Sequence, residues 1–217
     1  MFVGHLALGF GAKRWVPAVG LGWLVAAVIG VDLLWPIFLL AGVERLRIVE
    51  GATAVNPFVF EHYPWTHSLL MGLAWGVLLG VIARGRGIRA GDAVVVGALV
   101  VSHWLLDAVT HVPDLPLWPG ISPRVGLGLW NSLVGTFAIE GAMWVAGIAV
   151  YLNARPVRGR RAAVAFWSFV GLATVIWAAG PWSPPPPSVQ AVAWLGLVTW
   201  LLVPWAAAAD RRRSPEE

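Results

Sequence analysis

The chain contains no cysteine and few charged side chains for its length. Without thiols, disulfides and thiolate metal sites are excluded, so histidine, aspartate and glutamate are the only strong metal ligands that remain. Charged residues make up 12% of the 217 residues and hydrophobic residues 59%, a balance that does not suit a soluble surface. The composition therefore favours a membrane protein, and it restricts any metal site to nitrogen and oxygen ligands.

Long apolar runs recur along the chain, and runs of about twenty apolar residues are typical of membrane-spanning helices. We expect an all-α polytopic bundle of six spans, preceded by a short half-inserted N-terminal helix, with no cleaved signal peptide. Residues 1–217 should form a single integral membrane domain, in which 1–120 carry the motifs and 130–209 carry three further spans. The six runs are Val16 to Ala41, Ser68 to Ala83, Ala93 to Val109, Leu133 to Leu152, Ala162 to Ala179 and Val189 to Ala209.

Basic residues are distributed unevenly between the segments that join these runs. If Lys13 and Arg14 are cytoplasmic, only Arg45, Arg47 and Arg124 of the fifteen Lys and Arg residues fall in external segments. This bias predicts a multi-pass protein of the cytoplasmic (inner) membrane with both termini in the cytoplasm. Topology also explains the net charge of +4, so membrane lipid and not nucleic acid is the expected partner. The oligomeric state is left open.

Several ionisable residues interrupt the apolar runs. A charged side chain within hydrocarbon costs about 2.5 to 3.5 kcal/mol, so such residues indicate a functional site. Counting about 1.5 Å of helical rise per residue from the cytoplasmic charges places four of them in one outer layer. His103 lies one turn below Asp107 and shares its helix face, because positions four apart are neighbours. The four residues of the layer are Asp32, His67, Asp107 and Glu140.

The remaining histidines extend this set. His5 reaches the floor of the same cavity if the N-terminal segment is half-inserted, and His62 precedes His67 across a Pro-Trp turn. Thr66 is expected to cap the helix that begins near His67. Three histidines with carboxylates around an open position suit zinc, iron or manganese. His111 is expected at the external end of the third span, either on the solvated surface or lining an entrance to the site.

Four blocks of sequence, in this order, resemble the YdjM-type family of inner-membrane metal-dependent hydrolases: GHLALGFGAKR, VDLLWP, HYPWTHSLL and SHWLLDAVTHVPDLPLWP. The resemblance covers roughly residues 4 to 120. Leu34 stands where the family has a second aspartate and Trp35 where it has a histidine, which argues against a second metal ion. The resemblance implies a divalent metal ion, zinc above all, bound by His5, Asp32, His62, His67, His103 and Asp107.

These observations lead to the hypothesis of a membrane-embedded metal-dependent hydrolase that acts on a phosphoester or lipid-linked substrate. Asp32 and Glu140 are the expected catalytic residues; Glu140 could act in proton transfer, replace the missing aspartate as a ligand, or be a neutral buried acid. The segment 113–130 could form a lid, and Arg124 could meet a phosphate. Two alternatives stay open: a transporter or ion- or proton-conducting protein with the same residues as a relay, and a non-catalytic structural protein with a vestigial site.

Overall fold

A computed structural model describes residues 1–157 and 159–210 of the chain. The described residues form an all-α bundle with two short β-hairpins that the sequence did not indicate. Arg158 and Arg211 to Arg213, which were predicted to be cytoplasmic, lie outside the described residues. The helices are α1 (Val3–Ala12), α2 (Leu21–Val28), α3 (Gly30–Leu40), α4 (Pro64–His67), α5 (Leu69–Gly85), α6 (Ala90–Thr110), α7 (Leu133–Ala154), α8 (Arg160–Ala179), α9 (Val189–Val198) and α10 (Leu202–Ala209). The strands are β1 (Arg45–Ile48), β2 (Phe58–His62), β3 (Leu115–Pro116) and β4 (Arg124–Val125), and 3-10 turns occupy Leu129–Asn131, Gly180–Trp182 and Thr199–Leu201.

Four helical segments within the described residues are long and apolar enough to cross a membrane. A fifth span results if α2 and α3, which are bent by 53° relative to each other, are counted as one broken helix. The remaining predicted run, Ser68 to Ala83, corresponds to α5, whose 17 residues rise about 26 Å, less than a hydrocarbon core of about 30 Å. By length and apolar composition, the described residues therefore contain four candidate spans, or five with the α2–α3 pair. The predicted number of six is not confirmed. The four segments are Ala90–Thr110, Leu133–Ala154, Arg160–Trp182 and Val189–Ala209.

The short helix α1 lies in the middle of the bundle. It packs against α2, α6 and α7, and Leu6 and Phe10 on it are fully buried. Gly147 of α7 allows the two backbones to approach closely, because a Cβ atom there would lie 2.6 Å from the carbonyl oxygen of Ala7. Close packing at a small residue of this kind is common between membrane helices. The position of α1 fixes His5 inside the protein.

The break between α2 and α3 supplies two parts of the site. At Ile29 the backbone leaves helical geometry, with φ −112° and ψ 13°, and the helix restarts at Gly30. The interruption puts Asp32 in the first turn of α3, where a helix N-terminus stabilises negative charge. It also leaves the carbonyl oxygen of Val28 available to a side chain. A broken helix at membrane depth is tolerated where it is buried in protein or lines a cavity.

The start of α5 differs from the prediction. Ser68, and not Thr66, caps this helix, since the Ser68 hydroxyl accepts a hydrogen bond from the backbone N–H of Met71. His67 ends the separate single turn α4, so α5 begins two residues later than expected. Gly76 of α5 and Gly97 of α6 lie face to face, and a Cβ on either would come within 2.7 Å of the other's carbonyl oxygen. This contact holds His67 beside α6.

A second buried polar cluster closes the opposite end of α1. The Lys13 ammonium forms an ion pair with Asp210 at 2.6 Å. The same carboxylate accepts hydrogen bonds from the Tyr151 hydroxyl and the Leu21 N–H, both at 3.0 Å, and contacts the Arg155 guanidinium at 3.0 Å. Asp210 therefore joins the ends of α1, α7 and α10 and the start of α2.

Candidate metal centre

Asp32, His67, His103 and Asp107 converge from α3, α4 and α6. Asp32 Oδ1 lies 3.3 Å from His67 Nε2 and 3.6 Å from His103 Nε2. Asp107 Oδ2 lies 3.0 Å from His103 Nε2 and 4.0 Å from His67 Nε2. Tetrahedral ligands about 2.1 Å from a zinc ion are about 3.4 Å from one another. The four separations lie on both sides of that value, and the potential ligands form two groups of three that share His103.

The orientation of the His103 ring is set by the helix break. His103 Nδ1 lies 2.7 Å from the Val28 carbonyl oxygen, which can only accept, so Nδ1 carries the proton and donates it. In the neutral ring Nε2 then bears a lone pair. Nε2 is buried and has no hydrogen-bond partner, although Asp107 Oδ2 is only 3.0 Å away. A lone pair that faces carboxylate oxygens is favourable only with a proton or a metal ion between them, and the second case is the arrangement of a metal-ligating histidine.

A chain of hydrogen bonds orients His67 in the same manner. The Thr66 hydroxyl donates to Glu44 Oε2 at 2.7 Å, and its oxygen lies 2.7 Å from His67 Nδ1. Because the hydroxyl proton goes to Glu44, the Thr66 oxygen accepts from His67 Nδ1, and His67 Nε2 is left to face Asp32. Glu44 Oε1 accepts the backbone N–H groups of Trp65 and Thr66, both at 2.9 Å.

Sequence reasoning missed Glu44. It lies in the connection between α3 and β1, outside every apolar run, and nothing in its neighbours indicates burial. In the structure it is buried beneath the turn that carries His67. Its only signal in the sequence is that carboxylates are scarce in this chain.

His5 supports Asp107 from the side of α1. Its ring is stacked on that of His103, and its Nε2 lies 3.0 Å from Asp107 Oδ1. His103 contacts the other oxygen of this carboxylate, Oδ2. The Met1 amine lies 2.8 Å from the same oxygen. His5, His103 and Asp107 form one group with potential ligand atoms within 4.8 Å of one another, and Asp32, His67 and His103 form another. His5 Nδ1 is buried without a hydrogen-bond partner.

His111 is not on the solvated surface but lines the cavity described below, so the first of its two expected placements is wrong. The residue is 3% exposed, because the segment after β4 folds back and places Trp130 against it, with ring centroids 4.4 Å apart. His111 Nε2 lies 3.9 Å from Asp107 Oδ2, and its Nδ1 lies 3.0 Å from Asp114. The Tyr63 hydroxyl donates to Asp114 at 2.8 Å. Burial and the Asp114 carboxylate raise the pKa of Tyr63 well above its usual value, so it remains a donor.

Three predicted residues lie apart from the cluster. His62 ends β2 opposite Arg45 and belongs to neither group of potential ligands among the described residues. Glu140 Oε2 accepts the N–H groups of Phe2 and Gly4, at 3.0 and 3.4 Å, and so holds the start of α1. Arg124 donates to backbone carbonyl oxygens of Asp114 and Glu61 and does not line the cavity described next.

A cavity of about 690 Å³ opens onto the cluster. Asp32, His67, His103 and Asp107 lie on its polar wall together with Glu140. Its volume is within the range of about 300 to 1,000 Å³ that small-molecule sites occupy. Most other lining residues are apolar or aromatic and come from the β1–β2 hairpin, from α8 and α9, and from the proline-rich connection between these two helices. A substrate of moderate size could therefore reach the cluster.

Neither protein-family models, nor curated proteins, nor solved structures match this chain. Its function has to be inferred from the geometry of the site, and the family resemblance stays a prediction. Fold and site together define a class: a membrane-type helix bundle with a buried histidine–aspartate cluster beside a cavity.

Proposed function

We propose that the protein is a membrane-embedded hydrolase that depends on a divalent metal ion. Asp32, His67, His103 and Asp107 are the proposed ligands, and His5 supports Asp107. The observation that carries the proposal is the buried His103 Nε2, which faces two carboxylates without a hydrogen bond while Nδ1 is committed to a backbone carbonyl. Two imidazole and two carboxylate ligands suit zinc best, with iron or manganese as alternatives.

The ligand set and the cavity suggest a division of roles. A divalent cation supplies Lewis acidity, which acidifies water and polarises the oxygen of the bond to be cleaved. Asp32 is the most open of the four ligands, with 37% of its side chain exposed, so its second oxygen can accept a proton from water. Glu140 lines the same cavity and is the proposed group that returns this proton to the leaving group.

The proposed location follows from the apolar helices and the distribution of basic residues. The protein would be a multi-pass protein of the cytoplasmic membrane, with six crossings if α5 and the α2–α3 pair each count as one, and both termini inside. The site would lie in the outer half of the membrane. The substrate would be a phosphoester or a lipid-linked compound that enters the cavity from the membrane or from the exterior.

The described residues of α1 do not form an ion or proton relay. Along α1, the His5 cluster and the Lys13 cluster are separated by Leu6 and Phe10, which are fully buried and have no group that could carry a proton or an ion. A relay needs polar groups or water at each step across the membrane.

Metal content tests the proposal directly. We expect the detergent-purified wild type to contain about one zinc, iron or manganese ion per chain and His103→Ala to contain almost none. His62→Ala is the matched control, because His62 belongs to neither ligand group and should leave the content unchanged. Asp32→Asn should also lose hydrolysis of para-nitrophenyl esters or phosphates. A metal-free wild type after incubation with each of the three ions, with its fold intact, would refute the metal site.

A further inference from the structure

The cavity carries an unusual balance of charge for a protein that would bind a phosphoester. Three carboxyl groups line it, those of Asp32, Asp107 and Glu140. Its described lining includes no Lys and no Arg, and the Met1 amine is already paired with Asp107. One divalent ion together with the Met1 amine would balance these three carboxyl groups and leave no excess positive charge. Because phosphate groups are generally bound by Arg, Lys or several N–H donors, an anionic substrate would find no side chain here to balance its charge.

One unpartnered donor lies on the same wall. Trp35 lines the cavity, and its indole N–H is buried without a hydrogen-bond partner. A buried donor of this kind costs about 1 to 3 kcal/mol unless a ligand satisfies it. The indole ring is close to the cluster, since its centroid lies 6.3 Å from that of His67. A neutral donor near the proposed ion suits an acyl oxygen, on which negative charge develops during ester or amide cleavage.

The far side of the cavity is apolar and reaches the outside of the bundle. Val175 and Ile176 of α8 and Leu195 of α9 line it, and Val175 and Leu195 are 62% and 65% exposed on the molecular surface. Both helices belong to candidate membrane spans, so these side chains would face hydrocarbon. The cavity thus connects a polar end at the cluster with an opening toward lipid tails, which fits a molecule with one polar group and a long apolar chain.

We propose that the substrate is an uncharged long-chain carboxylic ester or amide, bound with its acyl oxygen near Trp35 and its chain between α8 and α9. This inference rests on the proposed hydrolase function. The water oxygen bonds to the acyl carbon, and the bond from that carbon to the ester oxygen or amide nitrogen breaks. Asp32 takes one water proton, which passes to the Glu140 carboxylate and from there to the leaving alcohol or amine. The products are a fatty acid and that alcohol or amine, and no oxidant or reductant is needed.

A matched pair of substrates tests the inference. The zinc-loaded wild type, purified in dodecyl maltoside, is assayed with para-nitrophenyl decanoate and with the para-nitrophenyl decyl phosphate diester, and Asp32→Asn gives the background. Both probes have the same leaving group and the same chain length, and only the diester is anionic. We expect the ester to be cleaved at least about a hundredfold more efficiently, as befits a site without a partner for the charged group.

Two variants test the placement of the substrate. Trp35→Phe should lower kcat for the ester about a hundredfold, as loss of one oxyanion donor does elsewhere, whereas the lipid-facing control Trp194→Phe should have no effect. Zinc content should be unchanged in both. Leu195→Trp should reduce cleavage of the decanoate about tenfold but leave para-nitrophenyl acetate within about twofold, because only the long chain reaches that wall.

The results separate this inference from the proposed function. Preferential cleavage of the diester would overturn the substrate class and leave the hydrolase standing. If neither probe is cleaved by zinc-loaded protein, the hydrolase fails, and binding then decides the substrate class. A larger rise of Tm with N-methyldecanamide than with decyl methyl phosphate would support an uncharged ligand, and an equal or smaller rise would overturn it.

Discussion

The imidazole rings of His5 and His103 are stacked, with centroids 3.7 Å apart and ring planes inclined by 5°. The stack connects the short buried helix α1 with α6, which carries two of the proposed ligands. In this stack His103 directs its Nδ1 to the Val28 carbonyl oxygen and its Nε2 to the cluster. His5 directs its Nε2 to Asp107 Oδ1. Residues that support ligands in this way commonly change metal affinity when they are replaced.

His5→Phe keeps a ring in the stack and removes the contact with Asp107. We expect zinc affinity to fall about 10- to 100-fold, as for other supporting residues, with full occupancy recovered at saturating zinc. His5→Ala removes the stack as well and should weaken binding further. Competition with a zinc-binding dye measures both. If His5→Phe binds no zinc even at saturation, His5 is itself a ligand and not a support.

Thr66→Val removes the acceptor of the His67 Nδ1 proton while the shape of the side chain is retained. Because His67 is then free to rotate or to change tautomer, zinc affinity should fall about 10- to 100-fold. Thr66→Ser keeps the hydroxyl and should bind zinc like the wild type. A Thr66→Val variant with unchanged affinity would show that Glu44 and Thr66 only hold the turn.

Gly147→Ala should destabilise the bundle, because the added methyl group would meet the backbone of Ala7. Overpacking of this kind costs about 1 to 3 kcal/mol and should lower Tm in detergent. Gly171→Ala on α8 is the control, since a Cβ there has no neighbour within 4 Å and alanine favours helices by up to about 1 kcal/mol. Equal Tm values for the two variants would contradict the close approach of α1 and α7.

Asp210→Asn tests the second buried cluster. The amide would replace a carboxylate that faces both Lys13 and Arg155, and breaking a buried ion pair typically costs about 3 to 5 kcal/mol. We expect a large fall in Tm. The folded fraction should still bind zinc with wild-type stoichiometry, because the His5 end of α1 is a separate cluster. Loss of zinc from folded Asp210→Asn would show that the two ends of α1 are coupled.

The absence of cysteine makes a topology test simple. Glu50→Cys in the β1–β2 connection and Arg86→Cys in the turn before α6 each introduce a single thiol at an exposed position. In intact cells a membrane-impermeant maleimide should label Glu50→Cys alone, since the positive-inside rule puts Arg86 in the cytoplasm. Lysis should make both reactive. Labelling of Arg86→Cys alone in intact cells would invert the proposed orientation and the side from which the cavity opens.

The helical rise per residue and the spacing of ionisable residues were enough to predict the layer of polar side chains. Asp32, His67 and Asp107 were selected as one layer with His103 one turn below, and in the structure these four residues lie together. Glu140 was selected by the same count, yet its Oε2 holds the start of α1 and it lies outside both ligand groups. A count along the axis gives the height of a residue in a helix, but the direction of its side chain depends on how that helix is rotated against its neighbours.

His111 and Glu44 illustrate what local patterns could not supply. Each lies in or next to a connection, where sequence gives no period and burial depends on segments far away in the chain. His111 is covered by Trp130, and Glu44 is buried by the turn at Thr66. The predicted cap at Thr66 was wrong because its hydroxyl serves Glu44 and His67 instead.

By itself, the sequence determined the surroundings of the helices and the types of ligand. Apolar runs with few charges demand a bilayer or a buried core, and a chain without thiols leaves imidazoles and carboxylates as metal ligands. Only the tertiary structure decided which of these side chains meet. The break at Ile29 frees the Val28 carbonyl for His103, and the burial of α1 stacks His5 on that ring. Both depend on contacts between residues 75 to 102 positions apart, which no local period records.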